Sequence, residues 1–321
     1  MIDDFEKKCS VGALLYSPAL NSKVADSVIS EKFDRPYSLA LCLEDTVADD
    51  SVEMAEKQVK TTLTKISEAH EKNSFYLPKI FVRVRSSEQL RRLIEDLKNC
   101  SDVITGFIFP KYTVSNADDY NEIIREANKK SSQKIYMMPI LESKDIVDYY
   151  TRPEILTNIK KKIDSVKDYV LNVRVGGNDF SNQFAARRHY DETIYDILPI
   201  SQLLCDILTV FSREYVVSGP VWEFFASDND EWKTGLENEL KYDKLNGFVG
   251  KTVIHPKQIS VVNDALKVSN KDYQDAKEIL GWDDSGLQVG KSFAGERMNE
   301  VKTHINWAYK TVTLAGIYGI R

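Results

Sequence analysis

The chain has 321 residues, 42% hydrophobic and 29% charged, with 49 acidic against 43 basic side chains and a net charge of −6. That length and apolar share suffice for one large α/β core, and the negative balance excludes nucleic acid or an anionic membrane as the main partner. No apolar run approaches the roughly 20 residues of a transmembrane helix, and the opening MIDDFEKKCS lacks the apolar stretch of a secretory signal. Cys9, Cys42, Cys100 and Cys205 are scattered without CxxC spacing, which suits reduced thiols and a cytoplasmic protein.

In chain order, short apolar runs alternate with amphipathic stretches. Residues 11–16 read as a strand and 22–31 as a helix. Residues 37–43 form the next apolar run, followed by a long helix over 51–69. Residues 79–84 are rich in strand formers, and 86–98 place Leu90, Leu93, Ile94 and Leu97 at helical spacing. Further strands are expected at 106–109, 135–140 and 169–175, with helices over 117–129 and 146–162. The second half continues with a helix over 194–213, a strand at 215–217, a helix over 231–242 and a last strand at 248–254. Pro256 then opens a helix that runs to Val268.

Near-continuous apolar strands separated by helices predict a parallel sheet covered on both faces. About eight such units fit a (β/α)₈ TIM barrel, an α/β fold, better than an open sheet, and no GxGxxG turn supports a dinucleotide site. The expected division is a barrel over residues 1–268 and a C-terminal helical segment over 269–321, the latter helical around the Gly-rich stretch 281–295 and packed on a neighbouring subunit.

Strand ends and the loops after them build the site of such a barrel. At those positions stand Glu44 and Asp45, Arg83 and Arg85, Lys111, Glu142, and Arg174 followed by Gly176, Gly177, Asn178 and Asp179. Two carboxylates with water suit a hard cation such as Mg²⁺, and arginine suits bidentate capture of a carboxylate. The paired glycines would let backbone approach a ligand closely.

The segments LLYSPAL, ALCLEDTV, FVRVR, GFIFPK, PILES, VRVGGNDFS, GFVGKTVIHPKQI and GERMNE run in order from residue 14 to residue 300. Together they make the chain resemble the HpcH/HpaI aldolase and citrate lyase beta-subunit family, with malyl-CoA lyase-like relatives. The resemblance implies a carbon–carbon lyase with Mg²⁺, or Mn²⁺ in its place, held by Glu142 and Asp179. It also implies substrate binding by Arg83 together with Gly177 and Asn178. Glu44 and Asp45 match an acidic pair beside the metal, and Lys111 a lysine that binds one of them. A proton-transferring acid from the C-terminal segment of a neighbouring subunit would be Glu300, with Glu296 the alternative, in a homo-oligomer of trimer or hexamer type.

Departures from the family pattern lie at Gly12, Ala19 and Cys42, where an arginine, a glycine and an aspartate are usual. They touch the side of the site that handles CoA, so a free hydroxy- or keto-acid stands beside an acyl-CoA as substrate. Thioester hydrolysis on the same site, and a barrel subunit without chemistry, are the competing functions. Blander roles are expected for His255, at a helix start before Pro256, for Trp222 in the core, and for Cys42 as a small buried hydrophobe. Arg187 and Arg188 are assigned equally to anion attraction and to a solvated loop.

Overall fold

The computed structural model describes residues 2–283 and 286–321, and residues 284–285, within the Gly-rich stretch, lie outside them. The chain forms two compact units: Val11–Val262, and Asn263–Arg321 together with the residues before Val11. The observed division thus differs from the expected one at residue 268 and takes the first ten residues out of the barrel.

Eight parallel strands make the larger unit: β1 (Ala13–Pro18), β2 (Ser38–Cys42), β3 (Lys79–Arg83), β4 (Ile104–Phe109), β5 (Tyr136–Leu141), β6 (Val173–Val175), β7 (Val217–Ser218) and β8 (Lys251–Val253). Their order is β7-β6-β5-β4-β3-β2-β1-β8, and a bridge between Gly219 and Lys251 closes the ring. The expected barrel is present. Strands β2 and β5 are buried along their whole length, as a sheet covered on both faces requires. Inside, Leu14, Ala40, Phe81, Ile108, Met138 and Ile140 form one apolar cluster. Side chains alternate along a strand, so Arg83 follows Phe81, and Glu142 follows Ile140, onto this inner face.

Some boundaries moved for local reasons. The stretch read as a helix over 146–162 divides into Lys144–Val147 and Arg152–Asp164. Asp148 accepts from the amides of Tyr150 and Thr151, and Pro153 then opens the second helix. Likewise the 194–213 stretch divides before the helix Leu198–Phe211, where Thr193 and Asp196 cap a short 3-10 turn and Pro199 starts the helix.

The β7–β8 closure is backed by buried charge. Lys251 is fully buried, and its Nζ donates to Glu239 Oε1 at 2.8 Å and Asp243 Oδ2 at 2.7 Å, both on the helix Glu231–Asn246. Arg188 adds a second cation to Glu239 at 3.2 Å, and the Tyr195 hydroxyl donates to Asp243 at 2.6 Å. A methyl group at Gly219 would lie 2.9 Å from Asp243 Oδ2, so only glycine lets strand and carboxylate approach this closely.

In the smaller unit, the helices Asn270–Leu280 and Val301–Tyr318 share a core of Ala276, Ile279 and Ala308. The helix Ile2–Cys9 belongs with them, and the Tyr318 hydroxyl donates to the Cys9 carbonyl at 2.9 Å. The expectation of an all-helical segment needs correction: β9 (Val289–Lys291) and β10 (Met298–Glu300) form an antiparallel pair within it. Trp282 packs against Gly290, where a methyl group would sit 2.6 Å from its ring. Among the described residues no helix is long and apolar enough to cross a membrane.

Candidate active site

Most side chains anticipated on the barrel rim meet at one cavity of about 200 Å³ at the C-terminal ends of the strands, whereas Arg85 turns to Asp49 and the Val47 carbonyl. Asp45, Arg83, Glu142, Gly177, Asn178 and Asp179 all line it. Glu44 lies just behind, and Arg83 Nη2 joins the acids, reaching Glu44 Oε2 at 2.9 Å, Asp45 Oδ2 at 3.2 Å and Glu142 Oε1 at 3.3 Å. The Lys111 ammonium donates to Glu44 at 2.5 Å and to Asp45 at 3.4 Å. Its backbone amide donates to Glu142 Oε1 at 2.9 Å, with φ at 47°. A lysine in left-handed backbone is strained, and the contacts at both its ends hold it there.

Charge balance sets the protonation states. Burial pushes the Glu142 carboxyl up to about 7, against the pull of Arg83 and with the push of nearby Asp179. Asp179 is raised as well, first by burial, although Lys111 and Arg83 pull the other way. Burial opposes the Arg83 charge, but Tyr16, Glu142 and Glu44 outweigh it and keep the guanidinium firmly protonated. Two adjacent carboxyls held reluctant to ionise are what a divalent cation would convert into ligands.

The glycine pair serves packing. A methyl group at Gly176 would strike Glu142 Oε2 at 2.2 Å, and one at Gly177 would strike Ile194 and Pro220 at 2.7 Å. Glycine here makes room for protein, Glu142 above all, while both glycines still line the cavity. Reading along the chain missed Tyr16, Thr46 and Thr252, which also line the cavity. Tyr16 and Thr252 lie within β1 and β8 and Thr46 just past β2, so a reading confined to strand ends passes over the two strand residues.

Other residues went to structure. Arg188 is buried over Trp222 at 5.0 Å, donates to the Val221 carbonyl and pairs with Glu239. Trp222 is fully buried. The His255 ring stacks on Phe225 at 4.9 Å, and its Nδ1 accepts from the Lys257 amide at the helix start. Cys42 is a free, buried thiol. In the smaller unit, Glu296 pairs with Lys271 at 2.6 Å. Glu300, at the end of β10, shows no ion pair among the described residues, and its backbone amide donates to His304 Nδ1 at 3.0 Å.

A family model described as C–C bond lyase of the TIM-barrel fold matches residues 6–320. The chain belongs to this family. It is therefore a carbon–carbon lyase by family, as its order of motifs implied. Solved structures agree in fold. CitE from Mycobacterium tuberculosis, in complex with magnesium, acetoacetate and coenzyme A, is 18% identical with a TM-score of 0.61, covering 95% of this chain and 98% of that one. A citrate lyase from Burkholderia xenovorans LB400 is 13% identical with a TM-score of 0.71, covering 97% and 93%. RipC from Yersinia pestis is 15% identical with a TM-score of 0.54, covering 80% and 95%. No curated protein matches the sequence.

Proposed function

We propose that this lyase is Mg²⁺-dependent and cleaves, or in reverse forms, a carbon–carbon bond in a small hydroxy- or keto-carboxylate or its CoA thioester, by way of an enolate. The Glu142–Asp179 pair carries the reading: two carboxyls, both raised by burial, on one cavity at the mouth of a lyase-family barrel. The protein would supply two ligands, the Glu142 and Asp179 carboxylates, and leave the other positions to water. Mg²⁺, which keeps several waters, suits such a set, and Mn²⁺ would substitute. Bound there, the cation supplies Lewis-acid stabilisation of the enolate oxygen. CitE from Mycobacterium tuberculosis, crystallised with magnesium and oxaloacetate or pyruvate, supports the choice of ion and substrate class.

The chain's own residues divide the remaining work. Arg83 holds Glu142 and Asp45 through Nη2, and its other nitrogens, Nη1 beside Cys42 Sγ and an unpartnered Nε, are left for a substrate carboxylate. Lys111 and Glu44 fix the position of Arg83. Gly177 and Asn178 edge the substrate space, and Glu300 of a neighbouring subunit moves the proton at the enolate carbon. A screen of hydroxy-acids and acyl-CoAs with and without Mg²⁺, following released pyruvate, glyoxylate, acetate or oxaloacetate, tests the reading. Release of free CoA with an intact carbon chain would establish thioester hydrolysis in its place, and no turnover at all a barrel without chemistry.

Three results are expected. Calorimetric titration should find one Mg²⁺ per chain in wild type and none in Glu142→Gln or Asp179→Asn; unchanged affinity in either variant removes that residue as a ligand. The ion binds ionised Glu142, whose carboxyl is pushed up to about 7, so protons compete below that pH. Mg²⁺ affinity should hold steady above about pH 7 and fall by up to about tenfold per unit below it, where binding releases the Glu142 proton. A flat profile across that range overturns the coupling. Glu300→Gln should lower kcat by about 10²–10⁴ while Mg²⁺ affinity stays at the wild-type value. Unchanged turnover would leave the proton transfer to another group.

We further propose a cytoplasmic homo-oligomer of trimer or hexamer type. The four free cysteines support the compartment. Leu287, Phe293 and Met298, all more than half exposed on the smaller unit, support the assembly.

A further inference from the structure

Two arginines line the mouth cavity, and their charge balance differs. Arg83 is surrounded by Glu44, Asp45 and Glu142. Arg174, on β6, is 1% exposed, and no acidic side chain pairs with it among the described residues. Its hydrogen-bond partners are neutral: Nη2 donates to Thr252 Oγ1 at 2.7 Å and Nη1 to Asn172 Oδ1 at 3.4 Å, and Tyr16 lines the same cavity. Its Nε has no partner. A guanidinium removed from water, without a counter-ion and with a donor unused, is unfavourable in the ligand-free protein. An anion entering the cavity relieves that, and guanidinium matches carboxylate and phosphoryl oxygens equally well.

We propose that Arg174, braced by Thr252, is a second anion subsite, so that the substrate carries a second acidic group, carboxylate or phosphoryl, besides the one at the Arg83 and metal end. The inference rests on the lyase reading above and narrows its substrate to dianionic acids. Tyr16 shares the cavity with both arginines, its ring centre 5.7 Å from the Arg83 guanidinium. Burial draws the Arg174 guanidinium below the usual arginine range, with Tyr16 opposing, as expected of a cation awaiting its partner.

The test is calorimetric titration of pyruvate, oxaloacetate and 3-phosphonopyruvate, the last two adding a carboxylate or a phosphonate to the first. Each is titrated into wild type, Arg174→Gln and Arg174→Lys, in Mg²⁺ and in EDTA. Wild type should bind one of the two dianions about tenfold or more tighter than pyruvate, and which one identifies the second acid. Arg174→Gln should erase that preference and leave pyruvate affinity at the wild-type value. Arg174→Lys, which keeps a buried cation should the glutamine variant fail to fold, should retain only part of it. Unliganded Arg174→Gln should melt no lower than wild type, because a purely structural arginine would be missed there. Equal binding of all three acids by wild type, a parallel loss of all three in the variants, or no binding with or without Mg²⁺ overturns the subsite. A preference that depends on Arg174 yet ignores Mg²⁺ keeps the subsite and removes the metal reading.

Discussion

Arg83→Lys should cost about 2–4 kcal/mol of transition-state stabilisation, a fall of roughly 30- to 1000-fold in kcat/KM, in a protein that still folds. The reason lies in how one guanidinium is shared. Nη2 gathers Glu44, Asp45 and Glu142 within 3.3 Å, while Nε and Nη1 are free of acids. An ammonium is a single centre, so it can keep the carboxylates together or meet a substrate but cannot present a planar fork. Folding survives because the positive charge among three acids is retained. Kinetics on the acid that the substrate screen identifies, paired with a thermal melt, make the check, and wild-type kinetics in a folded Arg83→Lys protein would sink the assignment.

Lys251→Met should destabilise the barrel by about 3–5 kcal/mol, read as a lower urea midpoint. Methionine fills similar volume, so the loss comes from charge: Glu239 keeps Arg188, but Asp243 keeps only the Tyr195 hydroxyl. Burial already pushes the Asp243 carboxyl up against the pull of Lys251, and without the lysine it must be buried uncompensated or protonated. A midpoint equal to wild type would show the seam held by apolar packing alone.

The barrel was legible because its signal is local and repeated. Strand β5, YMMPIL, is apolar throughout and buried throughout, and the helices between strands carry their stripes at helical spacing. Where a turn residue interrupts, periodicity is blind: nothing in the apolar pattern of 146–162 marks the break that Asp148 and Pro153 impose. The short β7 was placed slightly early for a related reason, since Val216 and Val217 are both buried and burial alone does not say which of them pairs with a neighbouring strand.

The candidate site divides the same way. Which residues stand at strand ends follows from chain order, and so Glu44, Asp45, Arg83, Lys111, Glu142 and Asp179 could be named before any coordinate. What a charge at a strand end does depends on which distant segments supply its partners, and no local pattern holds that information. Arg83 draws acids from two other strand ends, whereas Arg174, equally conspicuous in its own strand, draws none among the described residues. Lys251, at the start of β8, pairs with two acids of a helix and carries the closure of the ring. Chain order dictated the barrel and the roster of its rim, through periodicities that act over a few residues. Only the closed ring decided which charges are balanced and which are left to a ligand, because counter-ions meet across the barrel and Coulomb energy depends on distance in space.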